Sequence, residues 1–269
     1  MAMPPLLYTS VAAMEHSKVN THIPLGKSQV QYTTGNAPWS LATADFNGDH
    51  ISALAVSNFD DNTVSIILGK GNGTFQSRVQ YTTGKAPYSV IAADFSHDKR
   101  TDVAVTNSRK NSVTIMLSNG NGIFQSQITY GTGKTPVYVT TGDFSGDSRP
   151  DLAVANVESH SVSILLSSRN GIFEEAIQHS TEQNPHSVAP GDFNSDNRTD
   201  LDVANSFGNT VSILLGNGNG TFETQITYAA GKSPYCVTTG DFNGDYRTDL
   251  AVANFGDGTV GILLSKERR

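Results

Sequence analysis

An Asp-Phe dipeptide that returns every 49 residues, short β-branched segments bounded by Gly, Asn and Asp, and no window with a sustained helical period together predict an all-β fold. The architecture expected is a β-propeller of five four-stranded blades. The dipeptide begins at Asp45, Asp94, Asp143, Asp192 and Asp241. The same 49-residue interval links Pro38, Pro87, Pro136, Pro185 and Pro234, and also Asn58, Asn107, Asn156, Asn205 and Asn254. Phe75, Phe124, Phe173 and Phe222 form a further register, with no insertion or deletion between copies. A single unit of this size cannot bury both faces of its sheet, whereas neighbours arranged around a ring bury them for one another.

Within the last copy the first strand is Tyr235-Cys236-Val237-Thr238-Thr239. An acidic loop from Asp241 to Asp249 follows, then a second strand, Leu250-Ala251-Val252-Ala253-Asn254, a short turn, and a third strand from Val260 to Leu264. The second copy shows the remainder: Ser118-Asn119-Gly120-Asn121-Gly122, a tight turn by its Asn-Gly chemistry, then a fourth strand from Phe124 to Tyr130. The C-terminal copy stops at Leu264 without that turn and strand, while Val30-Gln31-Tyr32-Thr33-Thr34 repeats Val79-Gln80-Tyr81-Thr82-Thr83. Three C-terminal strands joined by this N-terminal one would complete the fifth blade, close the ring and remove two exposed edges. The predicted organisation is an N-terminal tail at 1–25, a single propeller at 26–264 and a basic tail at 265–269. A fragment of a larger propeller is the alternative.

Of the 269 residues, 25 are acidic and 18 basic, giving a formal charge of −7, and such a balance argues against nonspecific nucleic-acid binding. No apolar run approaches the roughly 20 residues of a membrane-spanning helix, so no membrane insertion is expected. Cys236 is the sole cysteine, which excludes an intrachain disulfide and the usual Cys/His zinc spacings. The apolar stretch 4–14 lacks a positive segment before it and is interrupted by Pro4, Pro5 and Glu15, so it makes no clear signal peptide.

The chemistry sits in the loop between the first and second strands. In the last copy Asp241, Asn243, Asp245 and Asp249 stand at loop positions 1, 3, 5 and 9, with Gly244 between them and the backbone carbonyl of Arg247 at position 7 as a further ligand. Oxygen donors on alternate residues can converge, and three carboxylates repel one another until a cation arrives. Hard oxygen ligands suit Ca2+. An EF-hand would need Glu at position 12, where Val252 stands inside a strand. The fourth copy offers Asp192, Asn194, Asp196, Arg198 and Asp200. The third offers Asp143, Ser145, Asp147, Arg149 and Asp151, and the second Asp94, Ser96, Asp98, Arg100 and Asp102, with serine a poorer ligand and His97 in place of the central glycine. The first has Asp45, Asn47 and Asp49 but Ala53 where the closing Asp should be. Four calcium sites are therefore expected, with the fifth weak or absent. These loops hold 14 of the 25 acidic residues, and four bound Ca2+ ions would turn −7 into +1, which weakens the charge argument about partners. The competing reading is a set of Asx-turns that use Asp and Asn only to satisfy the loop backbone.

The residue after each repeat proline varies: Trp39, Tyr88, Val137, His186 and Tyr235. At the entry to the innermost strand these side chains either surround one mouth of the channel, where an aromatic ring suits carbohydrate or peptide contacts, or pack between adjacent blades. Tyr32, Tyr81, Tyr130 and Tyr228 hold one strand position and read as structural. Gly131-Thr132-Gly133-Lys134-Thr135 lacks the first glycine of a phosphate-binding loop, since Ile128 stands there, and Pro136 blocks the helix that should follow. The seven histidines share no register, and no nucleophile elbow occurs, so no acid and base are nominated beyond the loop carboxylates.

Gly35-Asn36-Ala37-Pro38, Gly84-Lys85-Ala86-Pro87, the Asp-Phe-Asn-Gly-Asp loops and the Leu-Ala-Val-Ala-Asn strand make the chain similar to the FG-GAP/VCBS repeat family over about residues 26–264. That family includes the N-terminal propeller of integrin α subunits. The resemblance implies a calcium-stabilised β-propeller, commonly extracellular and used for binding, although five units stand here where integrins have seven. The resulting expectation is a monomeric, extracellular, non-enzymatic module for a protein or carbohydrate ligand. The alternatives are a polysaccharide-lyase-like enzyme on the same scaffold and a purely structural propeller of a larger protein.

Overall fold

The computed structural model describes residues 30–266. The predicted N-terminal tail and the end of the basic tail lie outside them. Among the described residues, five antiparallel sheets follow one another along the chain, one per repeat. Blade 1 holds β1 (Pro38–Ala44), β2 (Ala53–Asn58), β3 (Thr63–Ile67) and β4 (Val79–Thr82). Blade 2 holds β5 (Pro87–Ala93), β6 (Asp102–Asn107), β7 (Ser112–Ser118) and β8 (Phe124–Gly131). Blade 3 holds β9 (Pro136–Gly142), β10 (Asp151–Asn156), β11 (Ser161–Leu165) and β12 (Ile177–Ser180). Blade 4 holds β13 (Pro185–Gly191), β14 (Asp200–Asn205), β15 (Thr210–Leu214) and β16 (Ile226–Ala229). Blade 5 has β17 (Pro234–Gly240), β18 (Asp249–Asn254) and β19 (Thr259–Leu263). The sheets are meanders, each strand pairing with the next, and β1, β5, β9, β13 and β17 pack on one another in succession.

The first strands begin in the same unusual way. The residue before each repeat proline is left-handed, with φ of 50° at Ala37, 54° at Ala86, 55° at Thr135, 57° at Asn184 and 48° at Ser233. Non-glycine residues avoid that region unless the surroundings hold them there. The surroundings here are the preceding blade: Ala86 N–H donates to Asn62 at 2.9 Å, Thr135 N–H to Asn111 at 3.0 Å and Ser233 N–H to Asn209 at 2.8 Å. Immediately after the proline the register slips, because Pro38 opposes Asn58 while Ser40 opposes Ser57. Trp39 is thus the unpaired residue of a bulge, as are Val137, His186 and Tyr235 in their blades, and the slip in blade 2 spans Tyr88 and Ser89.

The core lies between blades. Ala53, Ala55, Val64 and Ile66 of blade 1 pack against Val90, Val103, Val105 and Met116 of blade 2, and the equivalent residues repeat the arrangement at the next two seams. Polar links run across the same seams: Val90 N–H donates to Ser40 at 3.3 Å, Val139 N–H to Ser89 at 3.3 Å and Val237 N–H to Ser187 at 3.3 Å.

The fifth blade differs from the expected ring. Its sheet has three strands, and residues 30–34 pair with no strand. They lie instead against blade 1, where the Phe75 N–H donates to the Tyr32 hydroxyl at 3.2 Å and the two rings meet edge to face at 5.2 Å. The contact copies the one that Tyr81 of β4 makes with Phe124. Residues 30–34 therefore take the place of a preceding blade's fourth strand without joining β19. On blade 5, Val260 is 68% exposed and Ile262 51%, whereas their equivalents Val64 and Ile66 are buried. Leu41, on the opposite end of the array, is 50% exposed. Gly258 occupies the position of Asn62, so blade 5 has no side chain with which to hold Ala37 as the other seams hold their left-handed residues.

One residue breaks the pattern at the seam between blades 4 and 5. The second-strand position filled by Ala55, Ala104, Ala153 and Ala251 is Asp202 in blade 4. It is fully buried, neither carboxyl oxygen makes a hydrogen bond of good geometry, and burial pushes its pKa up to about 8. A buried polar group without a partner costs about 1–3 kcal/mol. Asp202→Ala, which restores the residue of the other copies, is expected to raise the free energy of unfolding by that order. The measurement is a urea midpoint that moves up at unchanged slope; a fall in the midpoint would show that the carboxylate is a net contributor.

Candidate functional site

Each first strand runs from one face of the array to the other, and this separates two sets of candidate residues. Pro38 pairs at the face that carries the β2–β3 turn, and Ala44 at the face that carries the acidic loop. The bulge lies at the first of these faces. All five residues after the prolines line one cavity of about 490 Å³, so the structure brings together Trp39, Tyr88, Val137, His186 and Tyr235 at the centre of the array. Trp39 and Tyr88 have ring centroids 4.6 Å apart, and His186 and Tyr235 3.9 Å. An extra residue in the strand re-aims its side chain, which is how a position one step from the repeat proline reaches the cavity instead of the blade seam.

Two further rings were not singled out from the sequence. Phe59 lies 5.4 Å from Trp39 and carries the Arg109 guanidinium over its face at 5.0 Å, while Phe255 lies 5.7 Å from Tyr235. Both follow the repeat asparagines, Asn58 and Asn254, directly. The 49-residue register therefore held the signal. Deeper in the cavity Tyr138, Ser187 and Cys236 occupy the next position along the strands. Burial pushes up the hydroxyls of Tyr88, Tyr138 and Tyr235 and the Cys236 thiol, so all stay protonated at neutral pH. The mouth is accordingly an uncharged surface of ring faces and hydrogen-bond donors, with Arg109 at its edge.

On the opposite face the loops are wound tightly by their own carboxylates. Asp241 accepts from Gly244 at 2.7 Å, Asp245 at 3.1 Å and Tyr246 at 2.9 Å. Those bonds, the Tyr246 one foremost, hold its pKa below the usual carboxylate value. Asp45 and Asp143 are used in the same way. Positions 3 and 5 join this turn, with Asn243 donating to Asp245 at 3.1 Å and Asn194 to Asp196 at 3.0 Å. Position 9 is different. Asp102, Asp151, Asp200 and Asp249 are buried, and each ties the loop to the far end of the third strand. Asp249, for example, accepts from Phe242 at 3.0 Å and Ser265 at 2.8 Å. Burial pushes Asp102 up to about 6 and raises Asp151 and Asp200 as well.

Hydrogen bonding thus accounts for the loop shape, and among the described residues no three His, Cys, Asp or Glu side chains converge as a ready-made metal centre. The donors at positions 1, 3 and 5 share one turn, and a carboxylate oxygen that accepts one N–H keeps a second lone pair for a hard cation. The donor set fits Ca2+ at these positions; Asp94, Ser96 and Asp98 of the second loop, which shares serine at position 3 with the third loop and adds His97 in place of its glycine, fit least well of the four expected sites. In the second and third loops the position-7 arginine adds its side chain: Arg100 pairs with Asp98 at 3.7 Å, and Arg149 pairs with Asp147.

A model of the FG-GAP-like repeat matches the chain four times, at residues 52–105, 94–154, 146–203 and 195–252. No curated protein matches it. Among solved structures, the chain is similar to one described as BBS1N in complex with ARL6DN, with a TM-score of 0.56 at 14% identity over 85% of this chain and 65% of that one. Virginiamycin B lyase from Staphylococcus aureus gives 0.59 at 14% identity over 86% and 68%. A chain of a nidogen/laminin complex gives 0.56 at 12% identity over 86% and 77%. The chain thus spans about two thirds to three quarters of the length of these structures, and at such identities the likeness shows the propeller fold alone.

His186 offers a probe of the mouth. Burial pushes its pKa down to about 4 from an ordinary value of 6.5, so the unfolded chain takes up the proton first. Stability from this group is present above pH 6.5 and is lost as pH falls toward 4, by at most about 3 kcal/mol. His186→Phe, which keeps a ring beside Tyr235, is expected to flatten that part of the stability-against-pH curve, measured by denaturant unfolding at pH 7 and pH 4. Identical pH dependence in both proteins would show that the imidazole is solvated.

Proposed function

Because the chain belongs to the FG-GAP-like repeat family, we propose that it is a non-enzymatic binding module whose aromatic mouth takes a protein or carbohydrate ligand while Ca2+ stiffens the opposite face. The observation that carries this reading is the bulge after each repeat proline, which delivers five otherwise unrelated side chains to one cavity. A regular repeat that varies where its strands meet a cavity has the form of a fixed scaffold with an adjustable surface. Stacked rings with protonated hydroxyls suit the apolar faces and hydroxyls of a sugar, or an aromatic or proline-rich peptide segment. Two of the structural neighbours come from protein complexes, in keeping with a propeller used for binding. The neighbour named as a lyase keeps an enzymatic alternative in view. The residues lining the cavity include neutral His186 and protonated tyrosines but no Asp or Glu, which suits contact through rings and hydroxyls.

Calcium on this reading is structural: held by positions 1, 3 and 5 and the position-7 carbonyl of the second to fifth loops, it supplies positive charge to clustered carboxylates. Sites of this loop type match the millimolar Ca2+ outside cells, which supports an extracellular placement.

Trp39 is the one tryptophan in the chain, so its emission reports the mouth directly. A panel of neutral and acidic oligosaccharides and candidate proteins is expected to include a ligand that shifts this emission saturably. Tyr88→Ala and Tyr235→Ala should each weaken that ligand by about tenfold or more, as for a central aromatic anchor. A ligand whose affinity ignores both substitutions, or turnover of an acidic polysaccharide, would sink the proposal. For the metal, the melting temperature should rise by several degrees between chelator and millimolar Ca2+, and Asp245→Ala should reduce that rise without abolishing the fold. Superimposable melting curves would remove calcium from the account.

A further inference from the structure

On the mouth face, the turn between the second and third strands repeats a backbone cap that blade 2 lacks. In blade 1 the Asp61 carboxylate accepts from the Asn36 N–H at 2.7 Å, and in blade 5 the Asp257 carboxylate accepts from the Lys232 N–H at 2.6 Å. Blade 3 meets the same need with a hydroxyl, the Lys134 N–H donating to Ser159 at 2.7 Å. The residue in this register in blade 2 is Lys110, whose ammonium accepts nothing, so the Lys85 N–H meets no side-chain oxygen among the described residues. Blade 4 also lacks the cap, with Gly208 in its place, but there Glu182 and Gln183 stand where blade 2 has Gly84 and Lys85.

Positive charge gathers at the same place. Lys85, Arg109 and Lys110 are all exposed, and among the described residues none of them pairs with a carboxylate. Arg109 is also held in position. Its N–H donates to the Lys85 carbonyl at 3.2 Å, and its guanidinium lies over Phe59, whose ring is 5.4 Å from Trp39 and 6.2 Å from Tyr88. In the Arg109 register the flanking blades carry Asp60 and Glu158, which confine the positive charge to blade 2. A guanidinium stacked on a ring keeps its N–H edges for a carboxylate, which it takes in two parallel hydrogen bonds. Rings and guanidinium thus make one continuous surface, apolar at the mouth and cationic at the blade 2 rim.

Resting on the reading of the mouth as a binding site, we propose that its ligand is an acidic saccharide: a uronic acid whose carboxylate enters the blade 2 turn while an adjoining sugar ring lies on Trp39 or Tyr88. The ligand then supplies to Lys85 the carboxylate that blades 1 and 5 supply from their own chain, and Arg109 and Lys110 neutralise it. An acidic peptide fits less well. Its main chain would need unpaired N–H groups on the first strands, and those of Val90, Val139 and Val237 are already donated to the serines of the preceding blades. The protonated Tyr88 and Tyr235 hydroxyls suit the hydroxyls of a sugar instead.

The probes are tetrasaccharides of polygalacturonate, hyaluronan and alginate, each beside its carboxyl-reduced counterpart, titrated into the full chain at fixed millimolar Ca2+ and followed by Trp39 emission and calorimetry. At least one acidic form is expected to bind saturably, about tenfold or more tighter than its reduced counterpart, and to weaken as salt is added. Lys110→Asp, which installs the residue of blades 1 and 5, and Arg109→Gln should each remove most of that preference and leave the reduced form bound as before. Tyr235→Ala should weaken both forms. Equal affinity for acidic and reduced forms, both weakened by Tyr235→Ala, overturns the carboxylate assignment and leaves the mouth a binding site. Absence of saturable binding by any of these saccharides overturns the inference, and binding that ignores Tyr235→Ala overturns the reading of the mouth with it. An acidic preference that survives both Lys110→Asp and Arg109→Gln, or tighter binding of the peptide Glu-Tyr-Glu-Tyr-Glu than of every saccharide, likewise overturns the inference.

Discussion

Each blade of this protein is finished by its neighbour, and that dependence governs the rest. A four-stranded meander of this length leaves both faces of aliphatic side chains bare, and no rearrangement inside the unit can cover them. The next unit covers one by presenting Val90, Val103, Val105 and Met116 to Ala53, Ala55, Val64 and Ile66, and the one after does the same. Burial of this kind, at roughly 25 cal/mol per Å², dominates the stability of such arrays. The seam also carries the polar links. Asparagine side chains hold the left-handed residues of the following blade, and serine hydroxyls accept from its backbone.

The repeat asparagines show how burial and turn geometry are joined. Asn58 donates to Thr63 at 3.0 Å and Ser65 at 2.9 Å, and Asn107 to Ser112 at 3.2 Å and Thr114 at 2.9 Å, each fastening the second strand to the third. The Gly-x-x-Pro segment passes directly over this hub. A Cβ on Gly84 would lie 2.5 Å from the Asn107 side chain, which explains a glycine there better than any turn preference does. One conserved geometry in the repeat thus fixes the approach of the chain to the proline, the bulge beyond it and the direction of the residue that reaches the cavity.

Much of this was legible in the sequence because the period is exact in number. Strand order, the acidic loops and the residues after the prolines all follow from a 49-residue register without gaps. What the register could not supply was direction. An aromatic one step from a proline can face a seam or a channel, and only the slipped pairing at Trp39, His186 and Tyr235 decides it. Position 9 of the loops reads as one more carboxylate, yet Asp102, Asp151, Asp200 and Asp249 turn inward and bind the loop to the third strand. Residues 30–34 repeat a fourth strand in sequence, but strand formation needs an edge within reach, and in the structure they meet only the Phe75 side of blade 1. Asp202 was hidden for a different reason, because a single departure from Ala carries no periodic signal.

The cavity has a mechanical property that follows from which blades line it. Trp39 belongs to the first blade and Tyr235 to the last, and both stand at the same mouth although no strand pairing joins those blades among the described residues. A molecule that touches both rings spans the two ends of a linear array. It acts as a clasp, and the work of holding the ends together is drawn from its binding free energy. Affinity at the mouth and the spacing of the terminal blades are then two readings of one equilibrium, so a change at either end of the chain is felt by a ligand that never contacts it.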